Sequence, residues 1–191
     1  YGLDQIGLQP GDVVIDVGAH VGVVSIYLAL RYPGLRIFAY EPVPANFARL
    51  VRNVEANGAQ GIVAFNLAVT GDERDLTLAG RQDSNSGGAS ALTSGGADHE
   101  HWTVPSTTLP AIFAEHKIDR CRLLKIDCEG SEYEVLIGGR EVLDRVDYLC
   151  GEFHTNKRLS SVGYTPERLR GLCEQFIAPE RIQVTYCRMG E

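Results

Sequence analysis

Val13-Val14-Ile15-Asp16-Val17, followed at once by Gly18-Ala19-His20-Val21-Gly22, decides the fold. Four of the first five residues are β-branched, and the run is bounded by Pro10-Gly11 before it and Gly18 after it. A continuous run of this kind predicts a strand buried on both faces, as in a parallel sheet. Gly22 to Arg31 then reads as an apolar helix. Working outward, Leu35 to Tyr40 predicts a second strand. Pro44 to Asn57 predicts a helix with Phe47, Leu50, Val51 and Val54 at i, i+3, i+4 and i+7, closed by Gly58. Ile62 to Phe65 predicts a third strand and Leu76-Thr77-Leu78 a short one. After Trp102, a helix is expected over Leu109 to His116 and a fourth strand over Arg122 to Asp127. Ser131 and Glu134 have the spacing of a capping box, opening a helix that stops at Gly138-Gly139. Asp147 to Phe153 predicts a fifth strand. Thr165-Pro166-Glu167 starts a helix with Leu169, Leu172, Cys173 and Phe176 on one face, and Ile182 to Met189 predicts a last strand. Strands alternating with helices imply an α/β fold, a mainly parallel doubly wound sheet with helices on both faces.

The 191 residues suit one domain spanning 1–191. With 44% hydrophobic and 23% charged residues, the composition excludes a disordered, collagen-like or coiled-coil chain. No apolar run reaches the roughly 18 residues of a membrane span. The formal charge of −7 disfavours binding to a phosphate backbone, so no nucleic-acid partner is expected. The five cysteines are odd in number and form no C-x-x-C pair, which suits free thiols in a reducing, cytoplasmic setting. Gly80 to Glu100 holds five Gly and four Ser but one large apolar residue, Leu92, and is expected to be a mobile insertion serving as a substrate lid. Because the chain begins at Tyr1 rather than Met, truncation at the amino end is expected. Oligomeric state leaves no trace in the sequence.

In an open parallel sheet, ligands bind beyond the carboxyl ends of the strands. The first strand ends in Asp16-Val17-Gly18-Ala19-His20-Val21-Gly22, and the second in Tyr40-Glu41-Pro42. The fourth ends in Asp127-Cys128-Glu129-Gly130-Ser131. Glu41 lies 23 residues after Gly18, the place of the acidic residue that binds ribose hydroxyls in nucleotide folds. The spacing Gly18-x-x-x-Gly22 lacks the extra glycine of a dinucleotide fingerprint, which argues against a nicotinamide-dependent oxidoreductase. An acid at Asp16 would repel a pyrophosphate and suits a cationic ligand such as S-adenosyl-L-methionine.

These segments together resemble the FkbM-type family of S-adenosylmethionine-dependent methyltransferases. The similar pieces are Val14 to Gly22, Ala39-Tyr40-Glu41-Pro42 with Asn46, Leu50 and Asn53, Asn66-Leu67-Ala68-Val69, Val104 to Leu109, Leu124 to Glu132, and Glu152-Phe153-His154. The resemblance implies the class I (Rossmann-like) methyltransferase fold, a seven-stranded sheet with a reversed final hairpin, although one strand of that hairpin is hard to find here. It also implies methyl transfer to a hydroxyl of a small molecule or sugar. Two positions depart from the family pattern: His20 stands where Asn is more usual, and Pro110 where Asp is frequent.

Cofactor contacts are expected from Asp16, Gly18, Ala19, His20, Gly22, Glu41, Pro42, Asn66, Ala68 and Asp127. In this reading Asp16 orders the loop beneath the cofactor's amino-acid end, and Asn66 to Ala68 meet the adenine edge. Asp127, Glu129 and His154 are the catalytic candidates, with His154 or one of the carboxylates as the general base. The bland alternative for Asp127 is a buried pair with Lys125. A divalent metal on Asp127, Glu129, Glu152 and His154 is conceivable and not favoured. An RNA or protein methyltransferase is the nearest rival. The chain lacks the Asn/Asp-Pro-Pro-aromatic motif of amino-nitrogen methylation. A rival of another class is a non-catalytic cofactor-binding domain of a larger protein.

Overall fold

The computed structural model describes residues 2–80 and 100–189. Strand β1 (Val13–Val17) sits in the middle of a six-stranded sheet. Beside it lie β2 (Arg36–Tyr40), then β3 (Ile62–Phe65) at one edge. On its other side are β8 (Cys121–Ile126), β9 (Val146–Thr155) and the edge strand β10 (Ile182–Arg188). Every pairing in this sheet is parallel. The family resemblance implied a seventh, reversed strand; among the described residues the sheet has six, and β10 pairs directly with β9.

Alternation along β1 explains why both faces are covered. Val13, Ile15 and Val17 pack with α3 (Leu109–Glu115), α4 (Glu132–Gly138), the short α5 (Lys157–Ser161) and α6 (Pro166–Cys173). Val14 faces the other way, into a cluster with Ile26, Leu28 and Ala29 of α1 (Val23–Arg31). Helix α2 (Pro44–Ala56) buries Leu50 against Ala19 and Ala39 beside that cluster. Each fully buried aliphatic side chain of this kind contributes about 1.5–3 kcal/mol of transfer free energy. Ile15, Leu124 and Ile126 have no exposed surface at all, so the strands that carry the site are the best-anchored part of the molecule.

Two smaller pairings frame the site. Strand β4 (Ala68–Thr70) pairs in parallel with β7 (Ser106–Thr108), and β5 (Leu76–Gly80) pairs antiparallel with β6 (Glu100–Val104). The sequence reading missed β4, β6 and β7. Ala68-Val69-Thr70 and Ser106-Thr107-Thr108 are too short for a period to register, and only their mutual pairing makes them strands. The lid expected over Gly80 to Glu100 falls at residues 81–99, outside the described residues, while its two ends are register partners in the β5–β6 ladder.

The capping box is corrected. Ser131 takes a helical conformation (φ −84°, ψ −2°), not the extended one that aims a cap hydroxyl inward, and its side chain makes no cap bond. Glu134 instead pairs with Arg74 at 2.6 Å. The N–H groups ahead of the helix are taken by its first residue, Glu132. At the start of α6 the expectation holds: the Thr165 hydroxyl accepts from the Arg168 N–H.

Candidate active site

The carboxyl ends of β1, β2 and β8 open into one cleft of about 170 Å³. Gly18, His20, Glu41, Pro42, Asp127 and Glu129 are among its lining residues, with Ala68 on the flank. Seven of the residues singled out in the sequence therefore converge, although up to 111 positions separate them. Asp16, Gly22 and Asn66 are not among the lining residues, and each has a supporting contact instead.

Asp16 is wholly buried beneath the loop. Its carboxylate accepts from the Ser25 hydroxyl at 2.6 Å and lies 3.0 Å from Lys125 Nζ. Lys125, itself buried, also donates to the Gly18 carbonyl at 2.6 Å. Its ammonium thus ties the loop after β1 to strand β8. Burial opposes the charge on Lys125, but Asp16 and Asp127 outweigh it and raise its pKa. Asp16 lies in direct ion-pair contact with Lys125, and the charge of Asp127, its partner in the bland alternative, acts on Lys125 as well. Gly18 has φ +77°, and a Cβ there would lie 1.8 Å from the Asp127 carbonyl oxygen. The close approach that requires glycine is thus between the two loops of the site itself. Gly22 is the left-handed N-cap of α1, and a Cβ there would strike Leu50. Asn66 donates its amide to the carbonyls of Glu41 and Pro42, bracing the turn after β2.

Glu41 is 4% exposed. One carboxylate oxygen accepts from the Val43 N–H and the Asn46 amide, the other from the His20 N–H at 2.8 Å. Burial pushes its pKa up, against these three hydrogen bonds and Lys125. A carboxylate offers about four acceptor positions. Three donors leave room for one more, on the oxygen that holds His20.

The other side of the cleft is a set of acids around one imidazole. His154, near the end of β9, is 6% exposed. Its Nδ1 lies 3.0 Å from Glu132 Oε1, and its Nε2 lies 3.7 Å from Glu129 and 3.6 Å from Glu152. Burial works against protonation, but the hydrogen bond to Glu132 and the charges of Glu132, Glu129 and Asp127 prevail and push the pKa up to about 9. His154 is therefore an imidazolium at neutral pH. Burial raises the Glu129 carboxyl, with His154 pulling the other way. The Cys187 thiol donates to Glu152 at 3.0 Å and is pushed up to about 11, so it stays protonated.

Glu132, fully buried, holds this side together. It accepts from the N–H groups of Cys128, Gly130 and His154 as well as from the His154 ring. Glu132 and Lys125 stood inside motifs the sequence reading quoted, but Glu132 was given no role and Lys125 only that of a possible partner for Asp127. The available signal was charge at the end of a strand otherwise buried on both faces, since buried charges are paired or ligating. Two groups, Glu152–His154–Cys187 and Asp127–Glu129–His154, bring potential ligand atoms within 4.8 Å of one another. With the His154 ring and the Cys187 thiol both protonated, a cation would have to displace a proton from each of them that it took as a ligand.

Residues 16–173 match the model of the methyltransferase FkbM domain. The chain belongs to the FkbM methyltransferase family. It is 29% identical over 178 residues to 31-O-demethyl-FK506 methyltransferase FkbM of Streptomyces tacrolimicus, covering 78% of this chain and 68% of that protein. It is 28% identical to Methyltransferase 1 of Beauveria bassiana, over 76% of this chain and 69% of the relative. A hexuronic acid methyltransferase, AglP, of Haloferax volcanii is 24% identical over 76% of this chain and 57% of its own length. The chain is thus a methyltransferase by family, with the Rossmann-like fold of that class. Among the described residues no helix is long and apolar enough to cross a membrane.

Proposed function

We propose that this methyltransferase uses S-adenosyl-L-methionine to methylate a hydroxyl group on a small molecule or sugar, in a reducing, cytoplasmic setting and without a metal. The observation that carries the reading is the cleft itself. It sets a buried, incompletely engaged carboxylate, Glu41, on one wall and a partly exposed carboxylate, Glu129, on the other. The free acceptor position on Glu41 suits a ribose hydroxyl, and Pro42, Val43 and Ala68 give the apolar flank an adenine needs. Two relatives bear names that specify methylation of a natural product and of a sugar acid, which supports a hydroxyl or carboxyl oxygen as acceptor over an RNA base. The acidic charge supports the same choice.

The bound cofactor would supply an electrophilic methyl group on a positively charged sulfur. What the chain must supply is orientation and a proton acceptor, because an alcohol is not ionised at pH 7. His154, already protonated, is not the acceptor, which leaves the carboxylates of Asp127 and Glu129 on the same wall; we assign the base to Glu129, which lies beside His154 and whose pKa burial raises. Its raised pKa makes it a better base than an ordinary carboxylate, and proton removal of this kind is worth about 10²–10⁴-fold in rate. His154 is the positioning partner, holding Glu129 by charge and being held in turn by Glu132. With the cofactor bound, Glu129 would take the proton of the acceptor hydroxyl as its oxygen is methylated, leaving the thioether as the other product.

Calorimetric titration with S-adenosylhomocysteine, with NAD as control, tests the cofactor. Binding of the first and not the second is expected. NAD binding in its place would overturn the reading.

A further inference from the structure

A cavity of about 530 Å³ lies between α4 and α6 and shares no lining residue with the cleft. Small-molecule sites usually measure about 300–1,000 Å³. Ile137 and Leu172 give it aliphatic surface, and Ile137 is 45% exposed. Tyr133 and Tyr164 line it as well, their rings stacked with centroids 5.1 Å apart. The charge on its walls has one sign. Arg140 and Arg168 are there, and among the described residues no acid is, although the whole chain carries −7. Neither arginine forms an ion pair among the described residues. Arg140 donates to Gln175 Oε1 at 3.2 Å and Arg168 to the Gly163 carbonyl at 3.1 Å. A guanidinium has five N–H donors in a planar fork that matches an oxyanion, and each of these two spends one on a neutral oxygen. Gly171 completes the wall from within α6, where a Cβ would meet nothing within 4 Å. Glycine disfavours a helix interior, and no close approach or positive φ requires it here, so its effect is to keep the space open.

We propose that this cavity is a second ligand site, which takes a small organic anion with a flat apolar body. The body lies against the aromatic and aliphatic surface, and its carboxylate, sulfonate or phosphate group is met by Arg140 and Arg168. An apolar lining with a few polar groups of one kind is the usual make-up of a small-molecule site. The site does not depend on the cofactor reading, because no group of the cleft takes part in it. Along the chain the two are neighbours: Tyr133 follows Glu132 in the first turn of α4.

The test compares two probes, 8-anilinonaphthalene-1-sulfonate and N-phenyl-1-naphthylamine, which is the same molecule without the sulfonate. Each is titrated by fluorescence into the wild type, Gly171→Ala, Gly171→Leu and the double variant Arg140→Gln/Arg168→Gln. The wild type is expected to bind the sulfonate at one saturable site, and the neutral probe about 10-fold more weakly. The double variant should lose that advantage while binding the neutral probe as the wild type does, which also shows that it is folded. Gly171→Leu fills the space and should abolish the binding of both probes. Gly171→Ala adds one methyl to open space, should keep both, and controls for the change in helix propensity. No binding by the wild type would overturn the proposal, as would equal affinity for the two probes. So would an undiminished preference for the sulfonate in the double variant. Full binding by Gly171→Leu would place the probe elsewhere on the molecule and overturn it equally.

Discussion

Glu41 and Glu132 are both buried carboxylates that accept backbone N–H groups from a neighbouring loop, yet they build the two walls of the cleft differently. Glu41 is surrounded by neutral donors: two backbone amides and the Asn46 side chain. Glu132 shares its oxygens with an imidazolium as well as with backbone amides. The first wall is therefore held by hydrogen bonds whose donors do not titrate near neutrality. The second is held by an ion pair whose positive member loses its proton when the solution becomes basic. A rigid nucleoside-binding wall thus faces an electrostatically poised catalytic one.

The largest effect is expected where that pair is broken. Glu132→Ala leaves the His154 charge buried and three N–H groups unmet, and losing one partner of such a pair costs about 3–5 kcal/mol. Urea denaturation followed by circular dichroism should show an unfolding free energy lower by about that amount, read as an earlier midpoint. An unchanged midpoint would mean that Glu132 is not the tie between β9 and the loop after β8. Lys125→Met should approach the same cost, because it strands Asp16 without a cation. It should also free the Gly18 carbonyl, so its loss should extend to cofactor affinity.

Next in size is turnover. Glu129→Gln is close in shape and loses only the capacity to take a proton. With the true acceptor, kcat should fall by about 10²–10⁴-fold while S-adenosylhomocysteine affinity stays as in the wild type. His154→Ala should also slow turnover, through misplacement of Glu129. If Glu129→Gln and His154→Ala both turn over normally, the base lies elsewhere.

The wall with the imidazolium should also show itself in the pH dependence of stability. The folded pKa of His154, about 9, is raised above the ordinary 6.5. A raised pKa means that the folded state binds the proton more tightly than the unfolded state. The stabilisation is complete below about pH 6.5 and is lost as the pH climbs towards 9. Thermal melts across that window should show a wild-type decline that is absent from His154→Gln. A parallel decline in both proteins would place the titrating group elsewhere.

The same contrast governs how much was legible in the sequence. The strands β1, β2 and β8 announce themselves because burial on both faces demands largely apolar runs, and Val13–Val17 and Leu123–Ile126 supply them apart from the paired Asp16 and Lys125. Glu41 was legible because its distance from Gly18 is fixed by one helix and one strand. Glu132 and Lys125 were quoted but not understood, since their roles depend on partners 22 and 109 residues away whose rotamers no spacing predicts. The general base was left open between His154 and the carboxylates for the same reason. A histidine's pKa is set by the acids folded against it, and three of the acids around this one come from the loop after β8 and the first residue of α4. The short pairs β4–β7 and β5–β6 escaped because their stability lies in the partner strand rather than in either segment.

The smallest effect sharpens the comparison from the neutral wall. Glu41→Gln keeps one acceptor oxygen and replaces the other with an NH₂ group. It should place the oxygen towards Val43 and Asn46 and present a donor where His20 N–H and a ribose hydroxyl both need an acceptor. Losing a single acceptor of this kind costs about 1 kcal/mol in stability and about 10-fold in nucleoside affinity. S-adenosylhomocysteine and 5′-methylthioadenosine, which lacks the amino-acid end, should weaken equally, since both carry the ribose. A Glu41→Gln variant that discriminated between the two probes would place the carboxylate at the amino-acid end and reverse the orientation assigned to the whole cleft.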